Sequence, residues 1–542
     1  MPIIDLQTAA QRDYDACVVG SGPAGIAVAL TMSENGRSVL LIDAGGEQPT
    51  AGPSAERSVP SAHSPLNETN CRAFGGTSWL WGGRILPFSK PEFERDAWPI
   101  SYDELAAHHD AAAIFLGGSA FDTSVADEND SSSFDLNAIE TLGTDGPVSR
   151  RHAGRLQALT GPDILLSTVV VGLLMQTQEG SDPNCIGVRA CPTQQTHAPI
   201  ALHARVTIIA SGGVETARLL LADQARNPNI FGHLTELGRG YSGHLTGSIA
   251  HITFPKNTDS RVFGWRTAPD GGFRRRVFRT SKRGVMDGMN MFFWAKNHPE
   301  EDARHGSGIL SAKYLKSRLL GRKTLVSAAG LGAPEKPTPT SIMSHLSNLL
   351  GDLPTTLRAL PDLLRGRRHP DRRQLDHLIP NRANWFKLCY HADQTRNLSN
   401  RITLSGNVDD DSLPEIKIAY DFSDIDIQNV INGHKNLETV LDQSGVAKLT
   451  FDFAPEQLHN AVRGKARDGY HQLGTARMGR DATESVVDGN CKMHGIAGLY
   501  IAGSSVFRSA GSAPPTHTIV ALAMRLAHHI CGQDAPRQQR LH

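Results

Sequence analysis

Gly20, Gly22 and Gly25 stand between a short apolar run, Tyr14–Val19, and a helical pattern, Ile26–Asn35, closed by Gly36. In that setting the first glycine permits a tight turn, the second lets the backbone approach a pyrophosphate, and the third allows close helix–strand packing. The helix N-terminus then presents its positive dipole end to the phosphates. A second apolar run, Ser38–Ile42, ends at Asp43, 18 residues beyond Gly25 and placed to bind ribose hydroxyls. Strand, helix and acid in register predict a βαβ unit that binds a dinucleotide, and the spacing does not separate NAD from FAD. Residues Asp468–Ile519, with DGYHQLGTARMG, SVVD and LYIAGSSVFRSAGSAPPTHTI, answer this motif from the far end of the chain. One ligand site built from both ends of 542 residues is the expectation.

The elements that would position these groups are legible in part. Arg72-Ala-Phe-Gly-Gly-Thr-Ser-Trp-Leu-Trp-Gly-Gly83 has too many glycines for a regular element and predicts backbone wrapped closely around something. Gln48–Asn70 reads as a long polar surface loop. A second strand-to-helix unit spans Arg205–Leu221, and Leu499–Ala502 reads as another parallel-type strand before a final helix, Thr516–Ile530. Between them the texture alternates: Gly288–Trp294, Trp385–Tyr390 and Glu415–Tyr420 look like antiparallel strands. The expected architecture is α/β: a doubly wound, Rossmann-like nucleotide domain with an inserted α+β substrate domain built on an antiparallel sheet. The expected limits are 1–243 and 455–542 for the former and 244–454 for the latter.

Bulk composition narrows the function. Lys plus Arg and Asp plus Glu number 55 each, which gives no global reason to expect a nucleic-acid partner. The seven cysteines are scattered with no CxxC pair, so neither a zinc site nor a disulfide framework is expected. No HExxH or similar ligand cluster occurs, and Asp409-Asp-Asp411 reads as a solvated loop, so no metal is expected. The N-terminus lacks the basic-then-apolar pattern of a signal peptide and no run is apolar enough to span a bilayer, which together predict a cytoplasmic protein. Leu346–Arg373, apolar then basic, reads as an amphipathic surface helix with a solvated tail. Attachment to a membrane surface is the sharper alternative, weakened by Pro354, Pro361 and Pro370.

Several separated blocks together resemble the glucose-methanol-choline (GMC) oxidoreductases, which are FAD enzymes. Arg72–Gly83 matches that family's flavin-wrapping loop, and Ile208-Ile-Ala-Ser-Gly-Gly-Val-Glu-Thr-Ala-Arg-Leu-Leu220 matches its second glycine signature. His471-Gln-Leu-Gly-Thr-Ala-Arg-Met-Gly479 and Gly503-Ser-Ser-Val-Phe507 match its C-terminal catalytic and flavin-binding blocks. Asn400-Arg-Ile-Thr-Leu404 matches more loosely. The resemblance implies FAD as cofactor, held by Gly20, Gly22, Gly25 and Asp43 with Arg72, Gly75, Gly76, Thr77, Ser78, Gly82, Gly83, Gly503, Ser504 and Thr516. It implies oxidation of a small alcohol or sugar, with an electron acceptor that the motifs do not name. His471 corresponds to the family's active-site histidine. An imidazole there makes chemical sense, because its unperturbed pKa lies near neutrality and a hydroxyl proton must be accepted as hydride leaves carbon.

One position departs from the family pattern. Asn or His usually precedes the Pro-Thr that opens the last helix, and here Pro514 occupies that place. Proline has no side-chain donor or acceptor with which to share a substrate hydroxyl. Ser512 and His517 are the nearby candidates to compensate, and His517 could instead simply pack in its helix. A flavin-binding protein with lyase-type chemistry, or with no catalytic role, is the competing reading.

Overall fold

The computed structural model describes residues 3–52, 55–57, 61–120, 132–143, 146–193, 198–268, 271–319, 341–354, 357, 377–379, 381–409, 411 and 413–533. Asp13–Val19 forms the centre of a nucleotide sheet, parallel to Val39–Ile42 on one side and Ile200–Ile209 on the other. It is buried without interruption from Ala16 to Val19, as suits a parallel strand covered on both faces. Asp163–Leu165 extends the sheet beyond Val39–Ile42. The ten-residue strand Ile200–Ile209 carries two neighbours on its far edge. Its first half pairs antiparallel with Asn184–Pro192, and its last residues pair parallel with Leu499–Ile501. Sequence reading missed the antiparallel pair Thr168–Gln176 and Asn184–Pro192, whose valines and cysteines show no clean alternation. Helices Pro23–Glu34 and Thr516–Gln533 bring Ile26, Leu30, Leu522 and Leu526 into one core with Ile208. The chain's two ends are thereby joined through apolar burial.

A second, antiparallel sheet runs in the order Lys448–Phe451, His244–Thr253, Trp385–Asp393, Met291–Lys296, Phe273–Thr280, Phe134–Leu142, Arg84–Ile85. Helix Asp424–Ser444 packs on it, contributing Ile427, Val430, Leu437 and Leu441 to a core with Leu245, Ile249 and Phe293. That helix starts at a Ser423–Asp426 capping box and ends at Gly445, where φ is +66°, a left-handed stop that glycine adopts without a Cβ clash. The sheet draws two strands, Arg84–Ile85 and Phe134–Leu142, from within 1–243. Sheet membership therefore does not follow the expected division at 243, because strand pairing is fixed by tertiary contact rather than by chain order. Pro414–Ala419 lies outside this sheet, in a three-stranded one with Arg401–Val408 and Glu56–Arg57.

Of the amphipathic stretch, Ile342–Gly351 is a helix with Met343 and Leu350 exposed, while the basic run 365–373 lies outside the described residues. No helix among the described residues is long and apolar enough to cross a membrane. Asp409 and Asp411 are not simply solvated: they pair with Arg218 and Arg72.

Candidate active site

The three glycines of the N-terminal turn are constrained differently. A Cβ on Gly25 would stand 1.8 Å from the Gly20 carbonyl oxygen, and one on Gly20, where φ is +105°, would stand 2.6 Å from the Ala210 carbonyl. Both are demanded by the protein's own packing. Gly22 has extended backbone (φ −66°, ψ −177°) and its Cβ direction meets nothing within 4 Å. The open space there is what a pyrophosphate approaching the helix N-terminus requires.

The glycine-rich loop predicted to wrap a ligand closes over this turn. A Cβ on Gly76 would come within 2.9 Å of the Gly22 Cα, and the Gly75 amide donates to Ser21 Oγ at 3.0 Å. The Ser78 hydroxyl accepts from the Val148 amide at 3.1 Å, Thr77 and Gly82 are exposed, and the Gly83 carbonyl accepts from Gly143. Asp43 sits at the end of its strand, as the spacing predicts. Its carboxylate accepts from the Ser21 amide and hydroxyl (2.7 and 2.6 Å) and from the Gly45 amide (2.7 Å). Burial pushes its pKa up, opposed by those hydrogen bonds and by the charge of Arg72. In this structure it braces the turn. Arg72 itself is spent on Asp411 at 2.6 Å.

The C-terminal block lies against the same strand ends. Leu499–Ile501 leads to Gly503, where φ is +131°, and the Ser504 hydroxyl donates to the Gln472 carbonyl at 2.6 Å. The Thr475 hydroxyl donates to the Gly213 carbonyl, and a Cβ on Gly213 would stand 2.2 Å from the Gln472 oxygen. The second glycine signature is thus the contact that lets the His471 segment sit at the start of helix Gly212–Arg226. Thr516 is the first residue of the last helix.

On its other side the His471 segment is stapled to the second sheet. Backbone bonds join Arg467 to Thr246 and Leu473 to Ser242 in both directions, and Tyr470 takes a φ of +61° between them. These bonds bring His471 to His244. Their Nδ1 atoms are 2.9 Å apart, and both rings lie beside His391 with centroid separations of 4.0 and 5.3 Å. His244 and His391 occupy neighbouring strands, where His391 faces Thr246 across the ladder and His244 faces Asp393. They are therefore diagonal neighbours on one face. His244 Nε2 donates to the Ala510 carbonyl at 3.0 Å, and His391 Nδ1 donates to the Ser512 carbonyl at 2.6 Å.

Burial depresses all three imidazole pKa values. His244 falls to about 3, and His471 falls well below 6.5 through burial and then the nearby His244 and Arg84. All three are neutral at physiological pH, as a proton acceptor must be. Sequence spacing offered no metal-ligand cluster, yet these three are, among the described residues, the group whose ligand atoms all lie within 4.8 Å. The sequence carries no signal for His244 or His391, which are two of 23 histidines at strand ends 147 positions apart.

Neither expected substitute for the missing side chain at Pro514 brings its own side chain to this cluster, although the Ser512 carbonyl accepts from His391. The Ser512 amide and hydroxyl both donate to buried Glu92, at 2.8 and 2.7 Å. Burial opposes ionisation of Glu92, but Arg279 and these donors hold its pKa down to about 2. His517 Nε2 donates to the His109 carbonyl at 2.9 Å and its ring packs edge-on against His109 at 5.0 Å. It is fully buried between helices, where side-chain packing overrides its nearness in sequence to Pro514.

Residues 397–523 match the family model described as GMC oxidoreductase, and residues 14–109 match that described as pyridine nucleotide-disulphide oxidoreductase. A paromamine 6'-oxidase from Streptomyces fradiae is 29% identical over 141 residues, covering 26% of this chain and 24% of that protein. A 6'''-hydroxyparomomycin C oxidase from Streptomyces lividus is 32% identical over 141 residues, again 26% and 24%. The chain thus spans about a quarter of the length of the curated relatives it matches. The solved structure of pyridoxine 4-oxidase from Mesorbium loti superposes over 95% of this chain and 99% of that one, with a TM-score of 0.57 and 13% identity, a likeness of fold. The family matches thus cover residues 14–109 and 397–523, the latter with the GMC oxidoreductases, and the likeness over the whole chain is one of fold.

Proposed function

We propose that the protein is an FAD-dependent oxidoreductase that oxidises a small alcohol or sugar, with His471 accepting the hydroxyl proton. The observation that carries this reading is the placement of the His471 segment. Its neighbour Gln472 is anchored on Ser504 and packed against Gly213, at the C-terminal ends of the parallel strands that also carry the glycine turn. Ligands of doubly wound folds bind at that edge. The open Cβ direction at Gly22 and the overlying Gly75–Gly76 loop fit a dinucleotide diphosphate. When bound there, FAD would supply the hydride acceptor. The chain's own contribution is a neutral imidazole fixed in place and partly exposed, flanked by two buried ones.

The names of the relatives, oxidases of paromamine and hydroxyparomomycin C, support a hydroxyl-bearing donor. The three-histidine group weakens the reading of a protein without hydride-transfer chemistry, since the side chain missing at Pro514 is not the sole polar group available there. The test is direct. The purified protein is expected to carry a flavin spectrum that bleaches anaerobically with at least one member of a panel of alcohols and sugars. Gly22→Val should fold and lose the flavin, because its side chain enters the space reserved for the diphosphate and its Cβ meets nothing within 4 Å. Colourless wild-type protein, or full flavin occupancy in Gly22→Val, would overturn the assignment.

A further inference from the structure

We infer that His244 is a positioning residue that fixes the tautomer of His471, leaving the His471 Nε2 bare to accept a proton. The assignment rests on His471 being the base proposed above, and it follows from donor and acceptor accounting. A neutral imidazole has one N–H and one lone pair. His244 Nε2 faces the Ala510 carbonyl at 3.0 Å, and a carbonyl only accepts. The His244 proton is therefore on Nε2, and its Nδ1 carries the lone pair. That Nδ1 lies 2.9 Å from the Nδ1 of His471, so the His471 proton must be on Nδ1 and its lone pair on Nε2. The chain runs from His471 Nδ1–H to His244 Nδ1, and from His244 Nε2–H to Ala510 oxygen. It ends on backbone, which has one protonation state and cannot reverse the order.

The order is held mechanically as well. His391 packs on His244 with ring centroids 4.0 Å apart, and its own N–H is anchored two residues further along the same loop, on Ser512 oxygen. The loop is pinned in turn by the two Ser512 bonds to Glu92. When His471 Nε2 takes a hydroxyl proton, His471 becomes a cation whose Nδ1–H still points at the His244 lone pair. The same hydrogen bond then stabilises the charge. His244 thereby does for His471 what an orienting carboxylate does in other base-assisted sites, without placing a negative charge beside the site. The 2.9 Å contact is also shorter than the separation of two imidazole nitrogens on a tetrahedral zinc, about 3.3 Å.

The deciding measurement is the ring-nitrogen spectrum of the flavin-loaded protein labelled with ¹⁵N-histidine, with the His471 signals assigned by their loss in His471→Gln. The expected result is a protonated Nδ1 and a bare Nε2 in the wild type, at neutral pH. His244→Ala should give a mixture of tautomers and slow anaerobic flavin reduction by about 10–100-fold, the usual worth of an outer-shell partner. His244→Asn, whose amide oxygen takes the place of Nδ1 as acceptor, should restore both towards wild type. A wild-type His471 protonated on Nε2, an unchanged tautomer in His244→Ala, or a stoichiometric bound metal would overturn the assignment. If no substrate reduces the wild-type flavin, the proposed function fails, while the tautomer spectrum still decides this inference.

Discussion

His471 and His517 lie 46 positions apart in the same C-terminal segment, the first half-buried and the second fully buried, both with depressed pKa values, yet they meet different partners. His517 places its Nε2 on the His109 carbonyl and its ring on the His109 ring, so that nitrogen serves to hold two helices together. His471 spends only Nδ1, on His244, and keeps part of its ring exposed. A lowered pKa therefore does not distinguish the proposed base from a packed histidine. What distinguishes them is which nitrogen is left over and what space it faces.

Substitution of the two residues should separate them most sharply. His471→Ala is expected to retain FAD and to slow anaerobic flavin reduction by about 10²–10⁴-fold, whereas His517→Ala should reduce at close to the wild-type rate. Comparable losses in rapid-mixing traces of the two variants would erase the contrast and return His517 to the mechanism.

Acid should act alike on His517 and on His244, the partner of His471. His244 and His517 have folded pKa values of about 3 against an ordinary 6.5, so the fold favours their neutral forms. The unfolded chain binds more protons between those limits. Stability is therefore complete above pH 6.5 and falls below it, by about 1.4 kcal/mol per pH unit for each such group, or about 2 kcal/mol apiece at pH 5. Denaturant midpoints measured at pH 7 and pH 5 should fall together with this slope. In His517→Ala the slope should lessen by one histidine's share, and an unchanged slope would show that His517 is not buried neutral.

At neutral pH the structural cost of His517→Ala should be about 1–3 kcal/mol, the usual penalty for leaving a buried acceptor such as the His109 carbonyl unpaired. Urea unfolding reads it directly. The smallest effect concerns coupling. The double variant should lose stability and rate as the sum of the singles, within about 0.5 kcal/mol, because the two residues share no partner among their described contacts. A larger interaction energy would mean that the loop through Pro514 transmits strain between them.

The glycine turn was readable because its three glycines answer local demands: a left-handed φ at Gly20, a carbonyl 1.8 Å from where a Gly25 Cβ would be, and empty space at Gly22. Local backbone geometry is written in adjacent residues, so the βαβ unit, Asp43 at its strand end and the loop over the turn could all be placed from sequence. The family blocks likewise brought His471 to attention. Its partners were not legible. His244 and His391 meet only because two antiparallel strands pair in one register, and a shift by one residue would turn either ring to the opposite face. Ser512 and His517 looked suitable by proximity to Pro514, but Glu92 and His109, more than 400 positions upstream, claim them. The sequence alone determined which residues are candidates to bind a dinucleotide and which imidazole is the candidate base. Only the tertiary structure decided which polar groups that imidazole meets, because hydrogen-bond partners are chosen by strand register and helix packing across hundreds of residues.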